Sequence, residues 1–107
     1  MSTGSSRKKS EALKLLESAT GGPVTLGRLI EAIRLGEAMT QPEFAKRLGV
    51  SKSHLNDIEK GRKAVSSERA ARFARSLAYS EKRFVKLALQ GQLDQSGLKF
   101  RVELEAA

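Results

Sequence analysis

The stretch from Met39 to Lys63, MTQPEFAKRLGVSKSHLNDIEKGRK, leaves this chain the least conformational freedom. Thr40 offers a hydroxyl N-cap, and Glu43 three residues later completes a capping box. Pro42 falls in the first helical turn, where its missing N–H costs little. Phe44, Ala45 and Leu48 make one apolar face, and Gly49 ends the helix as a residue able to turn left-handed. Ser51 then caps a second short helix, with Leu55 and Ile58 facing inward, Lys52, Ser53, Asn56 and Asp57 on other faces, and Gly61 at its end. Helices this short are marginal alone and need a scaffold.

The flanks supply it. Thr25 can cap a helix in which Leu26, Leu29, Ile30 and Ile33 form one stripe at i, i+3, i+4 and i+7, with Gly36 near its end. Beyond the central stretch, Ser66 or Ser67 can cap a fourth helix with Ala70, Phe73, Ala74 and Leu77 inside. Arg69, Arg72 and Arg75 lie outside, as a solvated face or as an extension of a phosphate footprint. Ser80 can cap a fifth helix carrying Phe84, Val85, Leu87 and Ala88, which ends near Gly91 or Gln92 or runs as far as Gln95. Upstream, Glu11 to Ser18 carries Leu13, Leu15 and Leu16, enough for a short N-terminal helix, before Thr20-Gly21-Gly22-Pro23 breaks the chain. The division expected is a disordered basic tail over 1–10, a helical domain over 11–95, and a C-terminal strand and tail over 96–107. Arg7, Lys8 and Lys9 in the tail either touch phosphate or are simply solvated.

The last segment changes period. From Gly97, Leu98, Phe100, Val102 and Leu104 alternate with Lys99, Arg101, Glu103 and Glu105, which predicts a β-strand. A single strand cannot satisfy its own backbone. Three solutions are open. The simplest is pairing with the same strand of a second copy, giving a homodimer. The others are addition to a different protein, and a tail folded over the helices.

Composition narrows the partners. Lys and Arg number 20 against 12 Asp and Glu, a formal charge of +8 that points to a polyanion such as nucleic acid. There is no cysteine for a disulfide or thiolate metal site, and a single histidine, His54, leaves no zinc cluster, so neither metal nor cofactor is expected. No run of about 18 apolar residues spans a membrane, and no secretory signal is evident, so a cytoplasmic protein is expected. No nucleophile-and-base set, paired-carboxylate pocket or phosphate-binding glycine loop is present, so no enzyme is expected.

Two short helices, a tight turn and a basic loop form the layout of a module that sets one helix in the DNA major groove. Met39-Thr40-Gln41, Phe44-Ala45, Leu48-Gly49-Val50-Ser51, Leu55, Ile58-Glu59 and Gly61 resemble the signature of Cro/Xre-type, lambda-repressor-like helix-turn-helix proteins. The resemblance covers about Leu26 to Leu77, with agreement in type and spacing and no gap. It implies an all-α, five-helix lambda-repressor-like DNA-binding domain that binds operator DNA as a dimer. The residue pattern adds to it a short N-terminal helix and a C-terminal β-strand used in dimerisation.

The resemblance also implies roles. Gln41, opening the second helix, would grip a phosphate together with the helix N-terminus, or else serve only as a neighbour of the cap. Lys52, Ser53 and Asp57 occupy positions that face base edges, flanked by Ser51 and Asn56. Lys52 could donate to guanine, Asn56 could read adenine, and Asp57 could accept from cytosine or instead pair with Lys60 or Lys52. Arg62 and Lys63 lie in a loop that would track the DNA backbone. His54 could touch phosphate or be a half-buried packing residue. Arg47 could point at the same DNA strand, whereas a solvated face is the default for Lys46. Arg34 and Glu59 would form a largely buried ion pair fixing the recognition helix to the scaffold. The expected function is a dimeric repressor acting on a pseudo-palindromic operator; the alternative is an antitoxin that binds a small toxin protein and represses its own promoter.

Overall fold

The computed structural model describes residues 24–107; the expected basic tail and the helix over 11–18 lie outside them. Five helices follow in order: α1 (Leu26–Gly36), α2 (Gln41–Leu48), α3 (Lys52–Glu59), α4 (Ser67–Leu77) and α5 (Glu81–Gln95). Each begins at a hydroxyl whose oxygen accepts a backbone N–H of the first turn: Thr25, Thr40, Ser51, Ser66 and Ser80. At Thr40 the capping box is complete, with the Thr40 N–H donating to Glu43 Oε1 at 2.8 Å. That bond to the Thr40 backbone, and a second to its hydroxyl, hold the Glu43 carboxyl below the usual carboxylate range.

The ends are equally local in origin. Gly49 (φ 76°) closes α2, and Gly61 (φ 76°) follows the end of α3. Two left-handed positions carry alanine instead, Ala38 (φ 55°) between α1 and α2 and Ala78 (φ 59°) at the end of α4. Helix α5 runs to Gln95, past Gly91, because a glycine in a helix costs only about 1 kcal/mol and packing on α4 carries the helix through.

The stripes read from the sequence meet in one core. Leu29 and Ile30 of α1, Phe44 of α2, Leu55 and Ile58 of α3, Phe73 and Leu77 of α4 and Phe84 of α5 are all buried. Helix α4 packs chiefly on α5, while α3 is gripped between α2 and α1. The Tyr79 ring leans on Phe84 at a centroid distance of 5.6 Å.

The expected C-terminal β-strand is absent: among the described residues there is no strand, and residues 98–107 run without regular structure. The cause is a side chain. Gln90 on α5 donates from Nε2 to the Phe100 carbonyl at 2.8 Å and accepts at Oε1 from the Val102 N–H at 2.9 Å. One amide thus supplies both the donor and the acceptor that a neighbouring strand would present at this point. The segment lies over α5 instead, leaving Leu98 and Phe100 exposed. Alternation describes which side chains face a surface; it does not specify that the surface is another strand. No helix among the described residues is long and apolar enough to cross a membrane.

Candidate nucleic-acid interface

Helix α3 has one end fastened to the scaffold and one end presented to solvent. At the fastened end Glu59 is 5% exposed, the only charged residue buried among the described residues. Arg34 of α1 holds it in a fork, Nε to Oε2 at 2.8 Å and Nη2 to Oε1 at 3.0 Å. The third guanidinium donor, Nη1, reaches the Met39 carbonyl at 3.1 Å, and so also ties down the turn into α2. The hydrogen bond to Glu59 raises the Arg34 pKa further, outweighing burial. Gln41 of α2 completes the cluster, with Nε2 3.0 Å from Glu59 Oε1 and 3.1 Å from Asn56 Oδ1. Four residues from α1, α2 and α3 therefore converge on one carboxylate region. No buried side-chain nitrogen or oxygen among the described residues lacks a partner.

Gly27 makes the same junction possible from α1. A Cβ at Gly27 would stand 2.1 Å from the Ile58 carbonyl oxygen, so the helix backbones touch there.

At the presented end Ser51, Lys52 and Ser53 are exposed, and the Ser51 hydroxyl caps the helix by accepting from the His54 N–H at 3.0 Å. Asn56 and Asp57 are half-buried one turn further along. Since Asn56 Oδ1 accepts from Gln41, its amide N–H2 is the part left to donate. The Gln41 N–H2 is directed inward, away from the role of a phosphate donor that the resemblance implies for it; the backbone N–H groups of α2 remain at that helix end.

Asp57 pairs with neither Lys60 nor Lys52. Its partner is Arg62, Nε to Oδ1 at 3.0 Å. The left-handed Gly61 folds the chain back, so that the Arg62 N–H also donates to the Asp57 carbonyl at 2.8 Å and the Lys63 N–H at 3.3 Å. Both side chains of the pair are partly exposed, so the pair orients Arg62 more than it stabilises the fold. The Lys63 side chain is exposed. His54 is half-buried, with Arg69 Nη1 3.2 and 3.3 Å from its ring nitrogens. Burial, then Arg69 and Lys63, push its pKa down against the opposing pull of Asp57, so the ring is neutral at pH 7. Arg47 pairs with Glu37, and Lys46 is exposed.

A family model described as helix-turn-helix matches residues 30–84. That is just over half of the 107 residues, from Ile30 in α1 through all of α2, α3 and α4 to Phe84 at the start of α5. The chain belongs to the Cro/C1-type helix-turn-helix family. It is therefore a DNA-binding regulator of transcription in the general sense of that family. No curated protein and no solved structure matches the chain.

Two features of this helix-turn-helix went unread in the sequence. Gly27 was legible in principle as a small residue within an apolar helical stripe, the usual mark of close helix approach. The contact of Arg69 with His54 was not, because it joins α4 to α3 across the core edge and leaves no periodic trace.

Proposed function

We propose that this protein is a dimeric repressor that occupies a pseudo-palindromic operator, with one α3 in each of two successive major grooves about 34 Å apart. The observation that carries this reading is the asymmetry of α3. Its far end is locked by Arg34, Glu59 and Gln41, while Ser51, Lys52 and Ser53 stand exposed at the other. A rigidly mounted helix with an exposed polar N-terminal half suits base reading, because the ordering cost falls in folding rather than in binding. Lys52 and Ser53 face base edges, Ser51 and Asn56 flank them, and Asp57 presents its carboxylate only as the Arg62 pair allows. Arg62 and Lys63 meet the phosphates with their side chains, and Gln41 does so only through its backbone N–H at the start of α2, its side-chain amide being held by Glu59 and Asn56. The two-fold operator supplies the reason for a dimer; strand pairing at the C-terminus is not its basis. Units over 11–95 and 96–107 are part of this proposal, the second serving as a cover on α5.

A second reading, an antitoxin that represses its own promoter, is favoured by the exposed Leu98 and Phe100, 47% and 67% accessible, which offer a small partner protein an apolar foothold.

Fluorescence anisotropy with a duplex from upstream of the gene and a scrambled duplex, at two salt concentrations, tests the repressor. Preferential binding to the upstream duplex, weakened by about fivefold or more (about 1–3 kcal/mol) by Lys52→Ala, is the expected result. Equal, steeply salt-sensitive binding to both, indifferent to Lys52→Ala, would overturn it.

A further inference from the structure

Of the three arginines on the outer face of α4, two are accounted for without DNA. Arg75 pairs with Glu81 at 3.1 Å, and Arg72 is solvent-exposed. Arg69 is different. It sits in the first turn of α4, where its backbone N–H is bound by the Ser66 cap at 3.1 Å, and its side chain is half-buried. The guanidinium crosses to the recognition helix and lies against the His54 ring, within the turn that also carries Lys52 and Ser53. No carboxylate among the described residues pairs with it. Asp57, the acid that acts on His54, is already bound to Arg62. Lys63 bears on the same ring from the loop after α3.

We propose that Arg69 is a phosphate-contacting residue of the DNA interface, held beside the recognition helix by the His54 ring. This rests on the reading of α3 as the DNA-facing helix. A neutral imidazole can accept from a guanidinium and orient it without cancelling its charge, whereas a carboxylate at the same place would neutralise it. The full positive charge therefore remains for an anion. It is positioned in advance, so less side-chain entropy is lost when a phosphate arrives. Together with Lys63, whose charge also bears on His54, Arg69 brings a second cation to the edge of the helix that enters the groove. α4 thus contributes to the electrostatic footprint through one residue rather than through its whole outer face.

The test is the salt dependence of binding to the upstream duplex by the full chain, in native, Arg69→Gln, Arg69→Lys and Arg72→Gln forms. One lost phosphate contact lowers the slope of log affinity against log salt by about 0.9, equivalent to about fivefold weaker binding near 0.15 M salt. Arg69→Gln should show that loss; Arg69→Lys, which keeps the charge, should retain the slope, and Arg72→Gln should match the native protein. In the native protein the duplex should also protect Arg69, but not Arg72, from phenylglyoxal, a readout that needs no variant to fold. An unchanged slope in Arg69→Gln while Lys52→Ala weakens binding, or equal modification of Arg69 with and without DNA, overturns the role of Arg69 and leaves the repressor reading standing. Failure of the native protein to bind any duplex overturns both.

Discussion

The two ends of α3 are built on opposite physical terms. At Glu59 a charge is removed from water and compensated by three donors from two other helices, and Gly27 brings the α1 backbone against Ile58. At Ser51 one hydroxyl satisfies one backbone N–H, and the Lys52 and Ser53 side chains beside it are exposed. A buried, fully bonded ion pair tolerates little displacement, since any movement strands a charge; an exposed cap tolerates substitution at small cost. Anchoring and exposure are thereby separated along eight residues: one end decides where the helix is, and the other is presented to solvent, as the proposed base-reading role requires.

If that division is right, the largest effect belongs to the locked end. Glu59→Ala should cost about 3–5 kcal/mol of stability in urea titration, because Arg34 is left without its carboxylate in a site with little access to water. A loss below 1 kcal/mol would mean that the α3 anchor lies elsewhere. Gly27→Ala comes next. Alanine normally favours a helix over glycine, yet here its Cβ meets backbone, which cannot step aside as a side chain can. About 1–3 kcal/mol of destabilisation is expected, together with weakened DNA binding as α3 is levered off its seat. A neutral or stabilising result would show the α1–α3 contact to be slack.

At the free end, Ser51→Ala should cost only about 1 kcal/mol, the ordinary worth of an N-cap, and thermal melting would reveal whether more depends on it. The smallest effect is the pH dependence from His54. Its pKa in the fold is lowered from the ordinary 6.5, so the unfolded chain binds more protons on acidification. Stability from this group is therefore complete above pH 6.5 and declines as pH falls below it, towards the lower folded value. Melting temperature measured between pH 5 and 8 should show this decline in the native protein and its absence in His54→Gln. Identical profiles would mean that neither burial nor the charges of Arg69 and Lys63 bear on the ring.

The helices were legible because their signals are local. Thr40 with Glu43, Ser51, Gly49 and the Leu26-Leu29-Ile30-Ile33 stripe act within one or two turns of the chain, so sequence spacing is already spatial spacing. The partner of Asp57 was harder to read. Lys60 and Lys52 look like neighbours along the helix, but the left-handed Gly61 carries Arg62 back onto the carboxylate. The C-terminal segment was misread for a related reason. Leu98, Phe100, Val102 and Leu104 keep strand period, yet the groups that satisfy this backbone come from Gln90, a residue whose face on α5 no local pattern announces.

From the order of its residues alone, then, this chain was committed, within the described residues 24–107, to five capped helices with an apolar stripe for each, the third of them a short polar helix following a tight turn. These follow from hydrogen bonds and side-chain periodicity that reach no further than a turn or so. Folding settled what the spacing left open: that Gln41 directs its amide inward to Glu59 and Asn56, that Arg69 crosses from α4 to His54, and that residues 98–107 lie on α5 rather than in a strand. Each of these depends on which of several available donors or acceptors comes within about 3 Å, and that is fixed by how the helices pack, not by the sequence distance between the partners.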